Sequence, residues 1–467
     1  MELIAKVNDT INNVVWGVPM LVLLVGAGLF LSILTRFVQF RKFGYAMQNT
    51  IGKIFHKQKA GTGEITPFQA VTTALAATVG TGNIAGITWA VTLGGAGAIF
   101  WLWVSALIGM CTKYSEVVLS IRYRERNKNG DWVGGPMYYI TNGLGKDWRW
   151  LAALFCIFGA LASFGIGNAV QVGNITTSIY TAIEAFNSNP VSRITINWVV
   201  GIITAIITGL VVIGGIKRLG SVTEKLIPIM SLIYIIACLA VVISHISEIG
   251  HVFGMIFQGA FHPSAVVGGV SGFTLKNCIT WGVKRGVFSN EAGLGSAPIA
   301  HAASSEKDPI KQGLYGIFEV FMDTIVICTL TGLTLLISGI DLQYGIKGTT
   351  ALNAAALATV FGEKIGSLII AIGLSLFALS TILGWALYGS RCCEYLFGSR
   401  SIRVFQILFL VVIVVGATMD LGLAWDIADT LNALMAIPNL IGILGLSGVV
   451  VKLTNEHFRD RSKTLKR

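Results

Sequence analysis

Apolar residues along this chain fall in long runs separated by short polar stretches. About 20 consecutive apolar residues are what a helix needs to cross a bilayer. By that criterion the chain carries about eleven spans, at residues 16–34, 67–93, 98–121, 150–183, 194–216, 226–244, one starting near 266, 314–338, 365–388, 405–423 and 430–452. Residues 245–263 read as a segment lying along the surface, and 350–361 as a short external helix. The first run is too long for a signal-peptide core and has no small-residue cleavage site, so it reads as a true span. The expected architecture is an all-α polytopic membrane protein.

Two spans depart from the pattern. The second contains A-L-A-A-T-V-G-T-G-N-I-A-G at 74–86, with Gly80, Thr81, Gly82 and Asn83 near its centre. Glycine inside a helix costs roughly 1 kcal/mol relative to alanine, so this stretch suits a helix that opens. Hydrocarbon cannot satisfy the backbone groups an opening frees, and an ion and a small zwitterion are the expected occupants. The rival reading takes Gly82-x-x-x-Gly86 as a close helix–helix contact. A dinucleotide fingerprint fails, because no strand precedes the glycines. The seventh span carries Lys276, Asn277, Lys284, Arg285, Asn290 and Glu291, too many polar groups for a lipid-facing rod. The two interrupted spans are five apart and therefore cross in opposite directions. Discontinuous helices at matching positions of two inverted halves point to a transporter binding site. The chain then divides into an extra span with a basic loop (1–65), a first five-helix repeat (66–246), a second (263–452) and a basic tail (453–467).

Charge refines this picture. The sequence is 54% hydrophobic and 12% charged, which excludes an ordinary soluble globule, yet its net charge is +11. In a soluble protein that excess would suggest nucleic acid. Here the basic residues crowd alternate loops, such as Arg36–Lys59 and Arg122–Arg149, and the tail. That is the positive-inside pattern. It predicts a multi-pass protein of the plasma membrane with its N-terminus outside and its C-terminus cytoplasmic, with no nucleic-acid partner and no obligate protein partner evident. The seven cysteines are scattered, with no metal or disulfide spacing.

The candidate chemistry starts at the opening. The half after the break offers N–H groups near Gly80–Gly82 to a carboxylate. The half before it offers the carbonyls of Ala76 to Val79 to a cation. Ser380 and Thr381 in the ninth span are candidate hydroxyl ligands, or else bond back to their own helix. Phe164, Asn168 and Gln171 share a helical face at i, i+4 and i+7, where they line a cavity or join helices. Lys284, Arg285 and Glu291 are expected toward the cytoplasmic end of the seventh span, near Lys113 and Glu116, as a gate network or a static brace. Asp323 lies mid-span and is expected to partner a helix N–H or a basic residue. No metalloprotease or nucleophile-elbow motif is present, and polar groups do not recur in rings, so an enzyme and a channel are both disfavoured.

G-T-G-N-I-A-G, G-G-A-G-A-I-F-W-L-W at 94–103, T-K-Y-S-E at 112–116, G-G-P-M-Y-Y at 134–139 and W-G-V-K-R-G-V-F-S-N-E-A-G-L-G-S-A-P-I-A-H-A-A at 281–303 resemble the alanine or glycine:cation symporter family, within the amino acid–polyamine–organocation superfamily. The resemblance spans nearly the whole chain. Ala96 departs from it, where the family's turn has proline. The resemblance implies a leucine-transporter-like fold, a 5+5 inverted repeat after one extra helix. It implies sodium-coupled symport of small neutral amino acids, alanine and glycine, into the cell by alternating access. The alternatives are a larger neutral substrate such as glutamine, or proton coupling. It implies a sodium site at Ala76, Val79, Phe377, Ser380 and Thr381. It implies a substrate site at Gly80, Thr81, Gly82, Asn83, Phe273, Thr274 and Trp385, to which the reading of the residues adds Thr78, Phe164, Asn168 and Gln171. Phe273-Thr274 would open the second broken helix, and Trp385 would limit the pocket to a small side chain.

Overall fold

The computed structural model describes residues 2–53, 60–61, 64–187, 191–262, 274–419 and 421–464. Helices α1 (Glu2–Val15) and α2 (Val18–Leu34) lead into two short helices, Val38–Arg41 and Phe43–Thr50. The second span is two helices, α3 (Pro67–Thr78) and α4 (Ala85–Gly94). They are bent by 59° about a break at Val79–Ile84. Next come α5 (Ala98–Tyr123), then α6 (Arg149–Phe164) and α7 (Val170–Phe186), joined by a π-helical turn at Gly165–Ala169. After α8 (Arg193–Val212) and α9 (Gly215–Ser244), the expected surface segment is α10 (Ile249–Phe261).

The seventh span also breaks. Helix α11 (Leu275–Asn290) ends at Glu291, and the short α12 (Ala297–His301) resumes after it. Helix α13 (Pro309–Val320) continues through a π-helical segment, Phe321–Cys328, into α14 (Thr329–Ile337). The rest is α15 (Thr350–Phe361), α16 (Glu363–Phe397), α17 (Ser401–Gly416), α18 (Leu421–Gly445) and α19 (Ser447–Thr464).

Among the described residues, six helices are long and apolar enough to cross a membrane, or up to eight with each bent pair taken as one span. Length alone does not reach the expected eleven, because α2 and α17 have 17 and 16 residues. The eleventh span, expected as one run, is also bent, by 55° between α18 and α19.

Apolar side chains face outward along α8, α9 and α17, including Ile206, Leu210, Ile229, Leu232, Ile407 and Val411. Exposed apolar faces of this extent suit lipid. The broken helices lie inside this shell, with almost every residue of α3, α4 and α12 buried.

The broken helices lie side by side and run in opposite directions. Gly94 and Gly86 along α4, and Gly82 in the break before it, face Trp281, Arg285 and Phe288 in turn along α11. A Cβ on Gly94 would sit 2.9 Å from that of Trp281, so glycine permits the approach. At the other end Ile65 exchanges backbone bonds with the far side of α12: its N–H donates to Ala303 O at 3.0 Å and its carbonyl accepts from Ser305 at 2.8 Å. The two breaks therefore stand level with each other.

Candidate functional site

The first break is built by local sequence. Thr66 and Gln69 cap α3 reciprocally and Pro67 occupies its first turn, so the helix starts cleanly. It stops because Val79 and Gly80 are extended, with φ −77° and −140°. Asn83 then folds back, and its Oδ1 accepts from Gly80 N–H at 2.8 Å. Thr81 N–H points across to Gln171 Oε1 at 3.4 Å. A side chain on Gly80 would collide with Thr381 Oγ1, which ties the break to α16.

That contact places the expected cation ligands. Ser380 Oγ lies 3.4 Å from Val79 O, and Phe377 O accepts from Ser380 at 2.8 Å and Thr381 at 3.0 Å. Val79, Phe377, Ser380 and Thr381 thus share one buried spot, with Ala76 one turn back along α3. The hydroxyls do bond back to their own helix, yet remain beside the end of α3.

The second break uses different chemistry. Glu291 is in the left-handed region at φ 54°, and Gly293 and Gly295 follow at 92° and 81°. Glu116 Oε1 accepts from the backbone N–H of both glycines at 3.1 Å and from Asn439 Nδ2 at 2.6 Å. Lys113 pairs with Glu319 at 3.4 Å, and His301 Nε2 lies 3.1 Å from the same carboxylate. Asp323 bridges the two breaks. It accepts from Asn83 Nδ2 at 2.7 Å, Ser289 Oγ at 2.7 Å and Thr324 Oγ1 at 2.8 Å. Its partners are an amide and two hydroxyls, not the helix N–H or basic residue expected.

A cavity of about 10 Å³ lies between the breaks, lined by Ala77, Thr78, Gly80, Gly82, Ile166, Gln171, Phe288, Glu291 and Thr381. It is about the size of one water. Any larger guest requires the walls to part. A much larger cavity, about 820 Å³, lies elsewhere, among Asp131, Arg391, Arg400 and Arg403, and touches none of the candidate residues.

Several expected residues lie apart from this cluster. Phe164 packs on Phe405 and Phe409, and Asn168 Nδ2 donates to Phe409 O at 2.7 Å. The π-helical turn adds a residue per turn, so the i, i+4, i+7 face is not preserved: Phe164 and Asn168 turn to α17, and Gln171 alone reaches the break. The carbonyl of Ile166 accepts from Gln171 Nε2 at 2.8 Å and holds it there. Thr274 is exposed and caps α11 by accepting from Asn277 N–H. Phe273 lies outside the described residues. The second opening is therefore about four turns later than expected, just after Phe288 and Ser289, and of these two Phe288 lines the cavity. The glycine pair at 293 and 295 after Phe288-Ser289 is the sequence signal for it.

The charges also separate. Lys284 and Arg285 pair with Asp429 at 2.7 and 3.1 Å, surrounded by Trp16, Trp89 and Trp281. They lie against the first half of α5, where Gly282 faces Ala98 and Gly286 faces Ser105. Lys113 and Glu116 are on its second half. Only Glu291, beyond the break, stays with that group. Trp385 is fully buried with its ring over Gly167, and its Nε1 donates to Glu291 at 3.0 Å. It stands behind Glu291 and does not line the cavity.

Helices crossing a bilayer around paired, antiparallel, discontinuous segments define a secondary transporter. The family model described as the sodium:alanine symporter family matches residues 1–467, and the chain belongs to that family. It is 46% identical to the sodium/alanine symporter AgcS of Methanococcus maripaludis, over 99% of this chain and 100% of that protein. It is 36% identical to the probable sodium/glutamine symporter GlnT of Bacillus subtilis, over 96% and 90%. A solved structure of MhsT in complex with L-phenylalanine has a TM-score of 0.59 at 12% identity, over 85% of this chain and 99% of that one. The likeness fixes the fold as leucine-transporter-like. The chain is a multi-pass membrane transporter and not an enzyme.

Proposed function

We propose that this transporter is a sodium-coupled symporter of small neutral amino acids, alanine and glycine, which it carries into the cell by alternating access. One observation carries this reading: the carbonyl end of α3 meets the Ser380 and Thr381 hydroxyls while the same break opens on the cavity. Sodium, a hard cation, suits uncharged oxygens, here the carbonyls of Ala76, Val79 and Phe377 with the two hydroxyls. The substrate carboxylate would lie on the backbone of Gly80, Thr81 and Gly82 near a helix start, taking the Gly80 and Thr81 N–H groups from Asn83 Oδ1 and Gln171 Oε1, which accept from them here. Thr78, Asn83 and Gln171 complete the site. The tight cavity, with the bulk of Trp385 behind it, favours a hydrogen or methyl side chain. Similarity to AgcS at 46% against 36% for GlnT points the same way. The basic segments support a plasma-membrane location with the N-terminus outside, and residues 66–246 and 263–452 as the inverted halves.

The test is uptake of labelled alanine into proteoliposomes under an inward sodium gradient, with glutamine as competitor. The expected result is sodium-dependent accumulation that glycine suppresses and glutamine does not. Accumulation driven equally by a proton gradient without sodium would reject the coupling ion. Stronger suppression by glutamine than by glycine would reject the size argument.

A further inference from the structure

Glu291 has a carboxylate in an unusual place. It is 1% exposed, at the C-terminus of α11, in a left-handed conformation that non-glycine residues seldom adopt. Such backbone outliers gather at functional sites. Its Oε1 accepts from Trp385 Nε1 at 3.0 Å, and its Oε2 accepts from Ser296 Oγ. Both partners are neutral. Among the described residues Glu291 makes no salt bridge: Lys113 pairs with Glu319 and acts on Glu291 only from beyond salt-bridge distance, and Lys284 and Arg285 pair with Asp429. A buried carboxylate without an ion-pair partner is expensive unless a cation joins it. Glu291 lines the same cavity as Gly80 and Gly82.

A zwitterion explains this arrangement. With its carboxylate on the Gly80–Gly82 backbone, its ammonium is directed at the opposite wall. We infer that Glu291 is the counter-ion of the substrate's ammonium group and restricts the transporter to ligands with a free cationic amine. This rests on the amino-acid reading above. Trp385 is then a positioning residue: it holds the Glu291 carboxylate in the cavity wall. The size limit follows indirectly, since an indole over Gly167 cannot retreat.

The experiment compares wild-type protein with Glu291→Gln and Trp385→Phe in proteoliposomes. Alanine, L-lactate and N-acetylalanine compete against labelled alanine, and thermal unfolding serves as the control for folding. Wild type should be inhibited by alanine alone. E291Q, with near-wild-type unfolding, should lose alanine affinity by about tenfold or more, the scale of one charge-assisted hydrogen bond. Its preference for alanine over lactate should shrink by a similar factor. W385F should raise the KM for alanine more than it lowers kcat, because it loosens the carboxylate without removing it. Folded E291Q with alanine affinity within about threefold of wild type, on the same scale, would overturn the inference. If E291Q does not fold, W385F decides: an unchanged KM for alanine rejects the assignment. Wild-type protein that takes up no α-amino acid would instead reject the underlying reading.

Discussion

Asn83 Nδ2 donates to Asp323 Oδ1 at 2.7 Å, which ties the first break to a π-helical segment 240 residues further along. Ser289, from the second broken span, donates to the same carboxylate. One buried side chain thus registers both interrupted helices against a third. π-Helical turns are frequent at functional sites, and here the turn presents Asp323 to both breaks.

Removing that carboxylate takes the acceptor from Thr324 and the shortest acceptor from Asn83 and Ser289, which keep only the Asp323 backbone carbonyl and the Cys328 sulfur at 3.1–3.3 Å. A buried donor left without its acceptor costs about 1–3 kcal/mol. Asp323→Ala should therefore destabilise the purified protein by at least about 2 kcal/mol, read as a clear drop in the unfolding midpoint. An unchanged midpoint would mean that the breaks are held together by packing alone.

Gly80→Ala places a methyl group against Thr381 Oγ1. Overpacking of this kind costs about 1–3 kcal/mol. Adding Thr381→Ala should recover part of the lost stability. Uptake should stay low in the double variant, because the hydroxyl is a proposed sodium ligand. Failure of the second change to restore any stability would show that the clash lies elsewhere.

Thr381→Val keeps the shape and removes the hydroxyl. It should raise the sodium concentration for half-maximal uptake, and do so more than it alters the alanine KM at saturating sodium. An alanine effect larger than the sodium effect would move Thr381 from the ion site to the substrate site.

Asp429→Asn removes the carboxylate that Lys284 and Arg285 share. Breaking a buried ion pair from one side costs about 3–5 kcal/mol, and expression or thermal stability should fall steeply. A fully stable variant with altered uptake would make this cluster a moving gate, not a brace.

Asp308 lies just before the membrane-spanning part of α13 and caps it, accepting from Ile310 N–H at 2.9 Å. Burial pushes its carboxyl up, but His457 at 3.0 Å and the backbone N–H groups of Ile310 and Lys311 outweigh this and hold it below the usual aspartate range. A depressed carboxyl stabilises the fold above its unfolded pKa, and that contribution disappears as pH falls through the folded value. The stability gap between wild type and Asp308→Asn should therefore be full at neutral pH and shrink below about pH 4. A gap that stays full well below about pH 4 would contradict the lowered carboxyl.

The first break was legible because its cause is local. Glycines at 80 and 82 and an asparagine able to fold back at 83 interrupt an apolar run whatever surrounds them. The second break lies about four turns beyond Phe273-Thr274, a pair similar to Phe288-Ser289; the glycines at 293 and 295 and the packing of Phe288 on Gly82 mark the later one. Gln171 was legible as polar in an apolar span. That Asn168 turns away from it was not, because the π-helical turn between them alters the period on which the face was counted.

Sequence by itself determined the membrane-crossing character, the two interrupted spans, their opposite directions and the family, since these follow from hydropathy, parity and motif. Tertiary structure alone decided which charges meet. Lys284 and Glu291 are seven residues apart, yet the first answers Asp429 on α18 and the second faces the cavity. The reason is physical: a broken helix changes direction within a few residues, so neighbours in the chain take partners from opposite ends of the same bundle.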